Sequence, residues 1–269
     1  MTTMQDAALS DREFASFQGL IRQVAGISLA PSKKALVAGR LAKRLKHHGL
    51  DSYADYYRLL DAQRDERQVA VDLLTTNETY FFREPKHFEF LRDRVLPQHP
   101  AERALRVWSA ACSSGEEPYS VAMLLAEHLG GRPWEIFASD ISTRVLERAR
   151  HGVYALDSVR GMTTELLHTH CLKGTGSQEG SFAVDPALRR RVSFAQINLN
   201  TTLPELGEFD VIFLRNVLIY FEPSTKREVV ARLQAKLRRG GYLFVGHSES
   251  LNGLADGLQT VVPAVYRKL

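Results

Sequence analysis

Four short apolar runs, each with the composition of a buried β-strand, are followed by small or polar residues. The runs are RVWSA (106–110), WEIFAS (134–139), RVSFAQ (191–196) and FDVIFL (209–214). The residues that follow them include Gly115, Glu117, Asp140, Asn198, Leu199, Arg215 and Asn216. Open parallel sheets bind their ligands outside the carboxyl ends of the strands. The pattern therefore predicts one ligand site built from these four strand ends.

The residue types at these ends favour a nucleoside as the ligand. Asp140 lies 25 residues after Gly115, close to the spacing of about 20 residues between the phosphate-binding turn and the ribose-binding acid of nucleoside-binding folds. A carboxylate there can accept hydrogen bonds from both ribose hydroxyls. The Asn198 amide can hydrogen-bond to an adenine edge, and Leu199 can pack against a face of the adenine ring. Each residue alone is equally consistent with a helix cap, a turn or a surface ion pair. Their combination at successive strand ends favours ligand binding.

The elements that must position these residues alternate along the chain. Beyond residue 103 the apolar runs are separated by helical patterns at 118–129, 143–150 and 225–238, which is typical of an α/β domain with helices on both faces of a parallel sheet. Residues 152–199 break the alternation. They contain a helical pattern at 164–170 and two turn clusters, GTGSQEG and DPAL, which predict a small antiparallel β-subdomain inserted at about 168–197.

The first part of the chain has a different pattern. Apolar residues recur at helical spacing over 11–24, 31–48, 53–60, 66–74 and 84–94, with no β-rich run between them. We therefore predict an all-helical domain over residues 1–88. The segment LPQHPAER (96–103) contains two prolines and few apolar residues, which favours an interdomain linker at 89–103 and a second domain at 104–269.

One predicted helix is strongly basic. Residues 31–48 contain six lysines and arginines and no acidic residue. On a helical wheel one arc collects Lys33, Arg40, Lys43, Arg44 and His47, the basic arc, beside an apolar arc of Ala38, Leu41, Ala42 and Leu45. Two interpretations remain open. The basic arc is either a solvated face of a core-packed helix or a docking face for an acidic partner.

Composition excludes several classes of protein. A chain of 269 residues with 44% hydrophobic and 25% charged residues is a folded globular protein. No segment approaches the roughly 20 apolar residues of a membrane span, and the polar N-terminus does not resemble a signal peptide, so we expect a cytoplasmic protein without membrane insertion. Cys112 and Cys171 suit neither a disulfide framework nor a metal site. A net charge of +4 is too small for a nucleic-acid-coating protein.

Five strings of the sequence resemble one known family in order and spacing. They are TTNETYFFRE (75–84), VWSAACSSGEEPYSVAM (107–123), FASD (137–140), FDVIFLRNVLIYF (209–221) and GGYLFVGHSE (240–249). They resemble the CheR family of chemotaxis-receptor glutamate methyltransferases, over nearly the whole chain. The resemblance implies a Rossmann-like class I methyltransferase domain after the helical domain. Cys112 departs from the pattern, since many relatives have a small residue such as alanine there.

The resemblance also implies an activity. Its cofactor is S-adenosylmethionine, its product is S-adenosylhomocysteine, and its substrates are glutamate side chains of methyl-accepting chemotaxis receptors. We then expect a monomer that is recruited from the cytoplasm to membrane receptor arrays. The cofactor contacts implied by motif match are Asn77, Thr79, Arg83, Glu117, Asp140, Asn198, Leu199, Arg215 and Asn216.

The chemistry needs no general base, because a glutamate side chain with a pKa of about 4.3 is already an anion at neutral pH. Catalysis requires in-line geometry, exclusion of water and a group that holds the incoming carboxylate. Our candidates for that group are Arg83 and Tyr220, a guanidinium that can grip a carboxylate and a phenol that can donate to it. Alternatively, Arg83 holds the methionine carboxylate of the cofactor and Tyr220 is a half-buried structural aromatic.

Two other functions are weighed against this one. A class I methyltransferase that acts on amino groups typically carries an Asn/Asp-Pro-Pro-Tyr string after the fourth strand, where this chain reads RNVL (215–218). The second alternative is a non-catalytic adaptor that only docks on receptors. Such a protein would not need the residues that imply cofactor contacts, and this chain has them in every matched string.

The compact loop KGTGSQEG (173–180) resembles that of family members whose β-subdomain binds a C-terminal receptor peptide. Lys173, Arg189, Arg190 or Arg191 would then bind the peptide's terminal carboxylate. The alternative is a subdomain that merely covers the sheet.

Overall fold

The computed structural model describes residues 8–269. Residues 1–7, which the sequence analysis assigns to the helical domain, lie outside this range. The chain forms two compact units, one of residues up to 76 together with 220–225, and one of residues 77–219 together with 226–269. Within the described range no helix is both long and apolar enough to cross a membrane.

The first unit is helical, as predicted. It contains α1 (Asp11–Ala25), α2 (Lys34–His48, preceded by a 3₁₀ turn at Pro31–Lys33), α3 (Tyr53–Ala62) and α4 (Arg64–Leu74). Ser10 and Glu13 form a capping box at the start of α1, and Gly49 ends α2 in the left-handed conformation. The segment 220–225 joins this unit through the amide of Ser28, which donates to the Tyr220 carbonyl at 2.8 Å.

The second unit is an α/β domain. Its first elements are α5 (Pro85–Phe90), β1 (Leu105–Ser109), α6 (Glu116–Leu129), β2 (Trp134–Asp140), α7 (Thr143–His151) and β3 (Val153–Ala155). Then come α8 (Thr164–His170), β4 (Cys171–Lys173), β5 (Ser181–Val184), α9 (Pro186–Arg189), β6 (Val192–Gln196) and β7 (Phe209–Leu214). The last are α10 (Pro223–Lys236, whose first three residues belong to the first unit), β8 (Leu237–Val245), β9 (Leu258–Val262) and β10 (Val265–Lys268).

A seven-stranded sheet forms the centre of this unit, in the order β6-β2-β1-β7-β8-β10-β9. The five strands from β6 to β8 are parallel, and β10 is antiparallel to both of its neighbours. Strand β7 is buried along its whole length, as expected for the middle of a sheet covered on both faces. The predicted parallel α/β architecture is confirmed.

Two predicted boundaries are wrong. The linker expected at 89–103 is largely helical, with a π-helical turn at Leu91–Val95 and a 3₁₀ turn at Leu96–Gln98. Leu91, Val95 and Leu96 are buried in the core of the second unit, and the units instead divide after residue 76. Of the two prolines that suggested a linker, Pro97 lies in the first turn of the 3₁₀ segment, where its missing N–H needs no helical partner, and Pro100 follows the end of that segment.

The inserted β-subdomain begins earlier than predicted. Its three-stranded antiparallel sheet has the order β3-β5-β4, so it spans residues 153–184 rather than 168–197. The run RVSFAQ, which the sequence analysis names as a strand end but which lies inside the predicted insert, forms β6 and pairs in parallel with β2 at the edge of the main sheet. Periodicity identifies a short strand but not its partner, which explains the misassignment.

Candidate functional site

The strand order brings the four predicted strand ends together. Strands β6, β2, β1 and β7 are consecutive neighbours and run parallel, so the residues after them lie at one edge of the sheet. The amide of Ile197, just beyond β6, donates to the Asp140 carbonyl at 3.0 Å and links the first two ends directly. The β8 end, which the sequence analysis did not include, adjoins β7 at the same edge.

Asp140 is fixed by the loops on either side of it. Its carboxylate accepts hydrogen bonds from the backbone amides of Ser113 at 2.9 Å and Ser142 at 3.0 Å. The Asp140 side chain is therefore pre-oriented at the carboxyl end of β2. Asp140 is only 6% exposed.

The loop between β1 and α6 is tightly packed. Gly115 has a φ of +97°, and a Cβ there would lie 2.9 Å from the Ala149 Cβ and from the Tyr154 hydroxyl, so only glycine fits. Cys112, the departure from the family pattern, is buried in the same loop, and its amide donates to the Ser139 carbonyl at 2.8 Å. The position thus accommodates a thiol without interrupting the loop's hydrogen bonds.

Arg215 lies at the centre of a buried ionic network. Its Nη1 donates to the Glu117 carboxylate at 2.8 Å, and its Nη2 donates to the Glu84 carboxylate at 3.1 Å and to the Arg83 carbonyl. Ser109 at the end of β1 donates to the other Glu117 oxygen at 2.7 Å. The Arg215 side chain is only 2% exposed. Both guanidinium ends therefore bind protein groups, and only Nε has no partner among the described residues.

Glu84 completes this network, and the sequence analysis missed it. Its carboxylate also accepts hydrogen bonds from the Asn216 side-chain amide at 3.2 Å and the His247 backbone amide at 3.3 Å. Burial alone would raise the pKa of the Glu84 carboxyl, but the Arg215 charge and these hydrogen bonds hold it below its ordinary value. Glu84 is therefore ionised at neutral pH. Its place beside Arg83 in the string TTNETYFFRE is the one sequence signal that could have identified it.

His87 is a buried neutral group next to Glu84. Burial lowers the pKa of His87 to about 3, with a further contribution from the Arg215 charge. Ligand atoms of Glu84, His87 and His247 lie within 4.8 Å of one another. The Glu84 carboxylate already accepts hydrogen bonds from Arg215, so a second cation at this cluster would be repelled by the guanidinium. These three side chains are therefore better suited to the ionic network around Arg215 than to binding a metal ion.

The remaining predicted cofactor residues flank the same edge. The Asn77 carbonyl accepts a hydrogen bond from the Ser113 hydroxyl at 3.0 Å, which ties the segment containing Asn77 and the half-buried Thr79 to the loop after β1. Beyond β6, the Asn198 side-chain oxygen accepts from the Asn200 amide at 2.9 Å, and Leu199 is buried.

The two candidate catalytic residues belong to different units. Arg83, in the second unit, donates to the Glu78 carbonyl at 2.7 Å, and its guanidinium lies 5.8 Å from the centre of the Tyr80 ring. Tyr220 belongs to the first unit and is partly exposed. Their joint action on a carboxylate therefore stays a prediction.

The basic arc, which lies on the 3₁₀ turn at Pro31–Lys33 and on α2, has hydrogen-bond partners at Arg40 and Arg44. Lys33, Lys43 and His47 are exposed. Arg44, however, donates to both oxygens of the Glu66 carboxylate at 2.7 and 2.5 Å, and Arg40 donates to the Thr75 carbonyl at 2.9 Å. Although residues 31–48 contain no acid, Glu66 on the facing helix α4 neutralises Arg44, and a helical wheel of one helix does not reveal such a partner.

Glu66 is the centre of a second ionic cluster. Its side chain is 6% exposed and also accepts a hydrogen bond from the Tyr56 hydroxyl at 2.7 Å. Burial raises the pKa of this carboxyl, but hydrogen bonds from Arg44, Tyr56 and His48 outweigh burial and lower it to about 2. Arg44 is therefore a structural residue of the helical unit.

The β-subdomain has an apolar cavity of about 440 Å³. Its lining residues are Leu156, Leu167, His168, Cys171, Lys173 and Phe182. Among the cations predicted to bind a peptide carboxylate, Arg189 donates to the His151 carbonyl at 2.7 Å and Arg191 stacks 3.8 Å from the centre of the Trp134 ring. Lys173 is the one that lines the cavity.

Comparison with known proteins places the chain in a family. Residues 12–75 match the model described as CheR methyltransferase, all-alpha domain, and residues 77–266 match CheR methyltransferase, SAM binding domain. The chain is 44% identical over 256 residues to the chemotaxis protein methyltransferase of Escherichia coli (strain K12), covering 92% of this chain and 87% of that protein. It is 43% identical over 265 residues to chemotaxis protein methyltransferase 2 of Pseudomonas aeruginosa, covering 97% and 95%.

Among solved structures, the chain is similar to the glycopeptide N-methyltransferase MtfA complexed with sinefungin, with a TM-score of 0.40 and 14% identity over 74% of this chain and 62% of that one. The two family models together span most of the chain and divide it after residue 75, one residue before the division between the two compact units. By its two domains and by its identity to these relatives, the chain belongs to the CheR methyltransferase family.

Proposed function

We propose that this chain transfers the methyl group of S-adenosylmethionine to glutamate side chains of methyl-accepting chemotaxis receptors, as part of chemosensory adaptation. The observation that carries the proposal is the set of fixed acidic and amide side chains at the carboxyl ends of four neighbouring parallel strands, in a chain of the CheR methyltransferase family. No observation favours a substrate of another class.

The donor set at this edge fits each part of the cofactor. The Asp140 carboxylate suits the ribose hydroxyls, and Asn198 with Leu199 suits the adenine. The buried Nε of Arg215 has no partner among the described residues, and a carboxylate such as that of a methionine moiety is the kind of acceptor that would satisfy it. When bound, S-adenosylmethionine supplies an electrophilic methyl carbon.

The residues of this chain then have positioning roles. Arg215 holds the Glu117 and Glu84 carboxylates in place and keeps the pKa of Glu84 below its ordinary value, and we assign Arg83 and Tyr220 to the substrate carboxylate. The carboxylate of a substrate glutamate is an anion at neutral pH and needs no deprotonation. Orientation and exclusion of water therefore account for the rate enhancement that this site must supply.

We assign receptor docking to the exposed part of the basic arc, Lys33, Lys43 and His47, with Arg40 at its margin. The ion pair of Arg44 with Glu66 joins α2, which carries most of this face, to α4. The glutamate-bearing helices of a receptor are acidic, so these side chains provide attraction that steers encounter and that salt weakens.

We further propose that the β-subdomain binds a C-terminal receptor peptide. Strand β4 is an edge of the three-stranded sheet, and Leu172 on it is 52% exposed. An extended peptide could pair with β4 while an aromatic side chain enters the adjacent cavity and Lys173 meets the terminal carboxylate. Such a tether would recruit the enzyme to receptor arrays and raise its local concentration at methylation sites.

The product distinguishes this function from other methyl transfers. The intact chain is incubated with methyl-labelled S-adenosylmethionine and the cytoplasmic fragment of a receptor, and the protein is then treated with alkali. Methyl esters hydrolyse and release labelled methanol, whereas methylated amines keep their label. We expect the receptor's label to be released as methanol. Label that survives alkali would refute glutamate as the acceptor.

A further inference from the structure

Glu249 is a buried carboxylate with no role in the function proposed so far. It lies four residues beyond the end of β8 and is 7% exposed. One carboxylate oxygen accepts hydrogen bonds from the backbone amides of Gly246 at 2.6 Å and Asn216 at 2.9 Å. The other accepts from the backbone amide of Ile219 at 3.2 Å. Glu249 thus links the segment after β7 to the segment after β8.

The backbone that Glu249 contacts has an unusual conformation. Asn216 has a φ of +57°, in the left-handed region that non-glycine residues adopt at a cost. Two carboxylates accept hydrogen bonds from this residue: Glu249 from its backbone amide and Glu84 from its side-chain amide. The orientation of the Asn216 side chain is therefore fixed at both ends.

Gly246 allows this close approach. A Cβ at position 246 would lie 2.5 Å from the Asn216 Nδ2 and 2.9 Å from the nearer Glu249 oxygen. Both distances are shorter than a side-chain Cβ can tolerate without a shift of its neighbours. A residue larger than glycine would therefore displace Asn216, Glu249 or both.

We infer that Glu249 is a positioning residue for the cofactor, which acts through the backbone of Asn216 and needs glycine at position 246 to do so. The inference rests on the proposed role of Asn216 as a cofactor contact. Glu249 itself has its carboxylate bound to backbone amides, so we assign it no contact with the cofactor or the substrate.

The test compares Glu249→Gln with a control substitution of another buried carboxylate, in β7 of the same sheet. Glutamine keeps the shape of the side chain but replaces one acceptor oxygen with an NH₂ group, which must face a backbone N–H donor. Asp210→Asn makes the same exchange in β7, where Asp210 is 6% exposed and accepts from the Arg106 backbone amide at 2.9 Å. Because Asp210 lies near the amino end of that strand, its loss should affect stability but not cofactor affinity.

We expect Glu249→Gln to weaken S-adenosylhomocysteine binding about tenfold, which is the scale of one lost charge-assisted hydrogen bond. Isothermal titration calorimetry measures the affinity, and thermal unfolding without ligand measures the stability. The variant's KM for S-adenosylmethionine should rise while its KM for the receptor stays at the wild-type value. Asp210→Asn should lose as much or more thermal stability and keep wild-type affinity.

Two more variants separate the possible failures. Asn216→Ala tests the proposed cofactor contact itself, and wild-type affinity in that variant would refute the contact. If Asn216→Ala weakens binding and Glu249→Gln does not, the contact stands and the positioning role of Glu249 is refuted. Gly246→Ala perturbs the same geometry without changing a charge, and we expect it to weaken binding as well. Equal affinity losses in Glu249→Gln and Asp210→Asn would show a general structural effect and overturn the inference.

Discussion

Replacing Asp140 by asparagine changes one atom of the residue that we assign to the ribose. In the structure each carboxylate oxygen of Asp140 accepts a hydrogen bond from a backbone amide, one from Ser113 and the other from Ser142. Asparagine has one acceptor oxygen, so its NH₂ group must face one of these amides. The substitution therefore removes the charge at the end of β2 while keeping the size of the side chain.

The magnitude follows from the hydrogen bonds involved. Loss of a hydrogen bond to a charged group costs about 1.5–3 kcal/mol of folding stability. The ribose hydroxyls also lose a charged acceptor, which should weaken S-adenosylhomocysteine binding by about 1–3 kcal/mol, or about 5- to 150-fold in Kd. Stability and affinity should therefore both fall in this variant.

Calorimetric titration with S-adenosylhomocysteine, together with thermal unfolding of the unliganded chain, separates the two effects. Asp210→Asn is again the control, because Asp140 and Asp210 are equally buried and both accept hydrogen bonds from backbone amides. A Kd for Asp140→Asn that equals the wild-type value would refute the ribose assignment. Equal weakening in the control would show that the loss is one of stability alone.

Three further predictions concern the other proposed sites. Glu66→Gln should lower the free energy of unfolding by about 3 kcal/mol at pH 7 in urea titrations of the intact chain, because the folded pKa of Glu66 is about 2 against an ordinary value of 4.5. Because the folded pKa lies below the unfolded one, the stability difference between wild type and variant should be complete above pH 4.5 and should shrink as the pH falls toward 2. A stability difference that stays constant with pH would contradict this reasoning. Charge reversal at Lys33 and Lys43 should lower kcat/KM for the receptor about tenfold and leave S-adenosylhomocysteine affinity unchanged, and added salt should slow the wild type more than the variant; equal kinetics would favour a merely solvated face. Wild type should bind a C-terminal receptor peptide with micromolar Kd, about −8 kcal/mol, and Leu172→Glu should abolish this binding; absence of wild-type binding would leave recognition to the helical unit.

Much of the site's location was predictable from local sequence. Apolar runs followed by Asp140 and Asn198 mark strand ends, and the rule for parallel sheets places such ends at one edge. The structure confirms this placement for β6, β2, β1 and β7.

The partners of the charged residues were not predictable in the same way. Arg215 pairs with Glu84 across 131 residues and with Glu117 across 98. Arg44 pairs with Glu66 on another helix, 22 residues away. Periodicity describes one element at a time, whereas an ion pair depends on how two elements pack. For the same reason the predicted insert extends to residue 197 and includes β6, although β6 belongs to the main sheet, where its end was also predicted.

The central claim is that this chain forms methyl esters on receptor glutamates with a cofactor bound at the strand-end edge. Mass spectrometry of a receptor cytoplasmic fragment, after incubation with S-adenosylmethionine and either wild type or Asn216→Ala, tests it most directly. We expect wild type to add the mass of one methylene to specific glutamate residues, and Asn216→Ala to need a higher cofactor concentration for the same yield. Modification of lysine, arginine or another residue type by the wild type, or no modification of the receptor, would contradict the account.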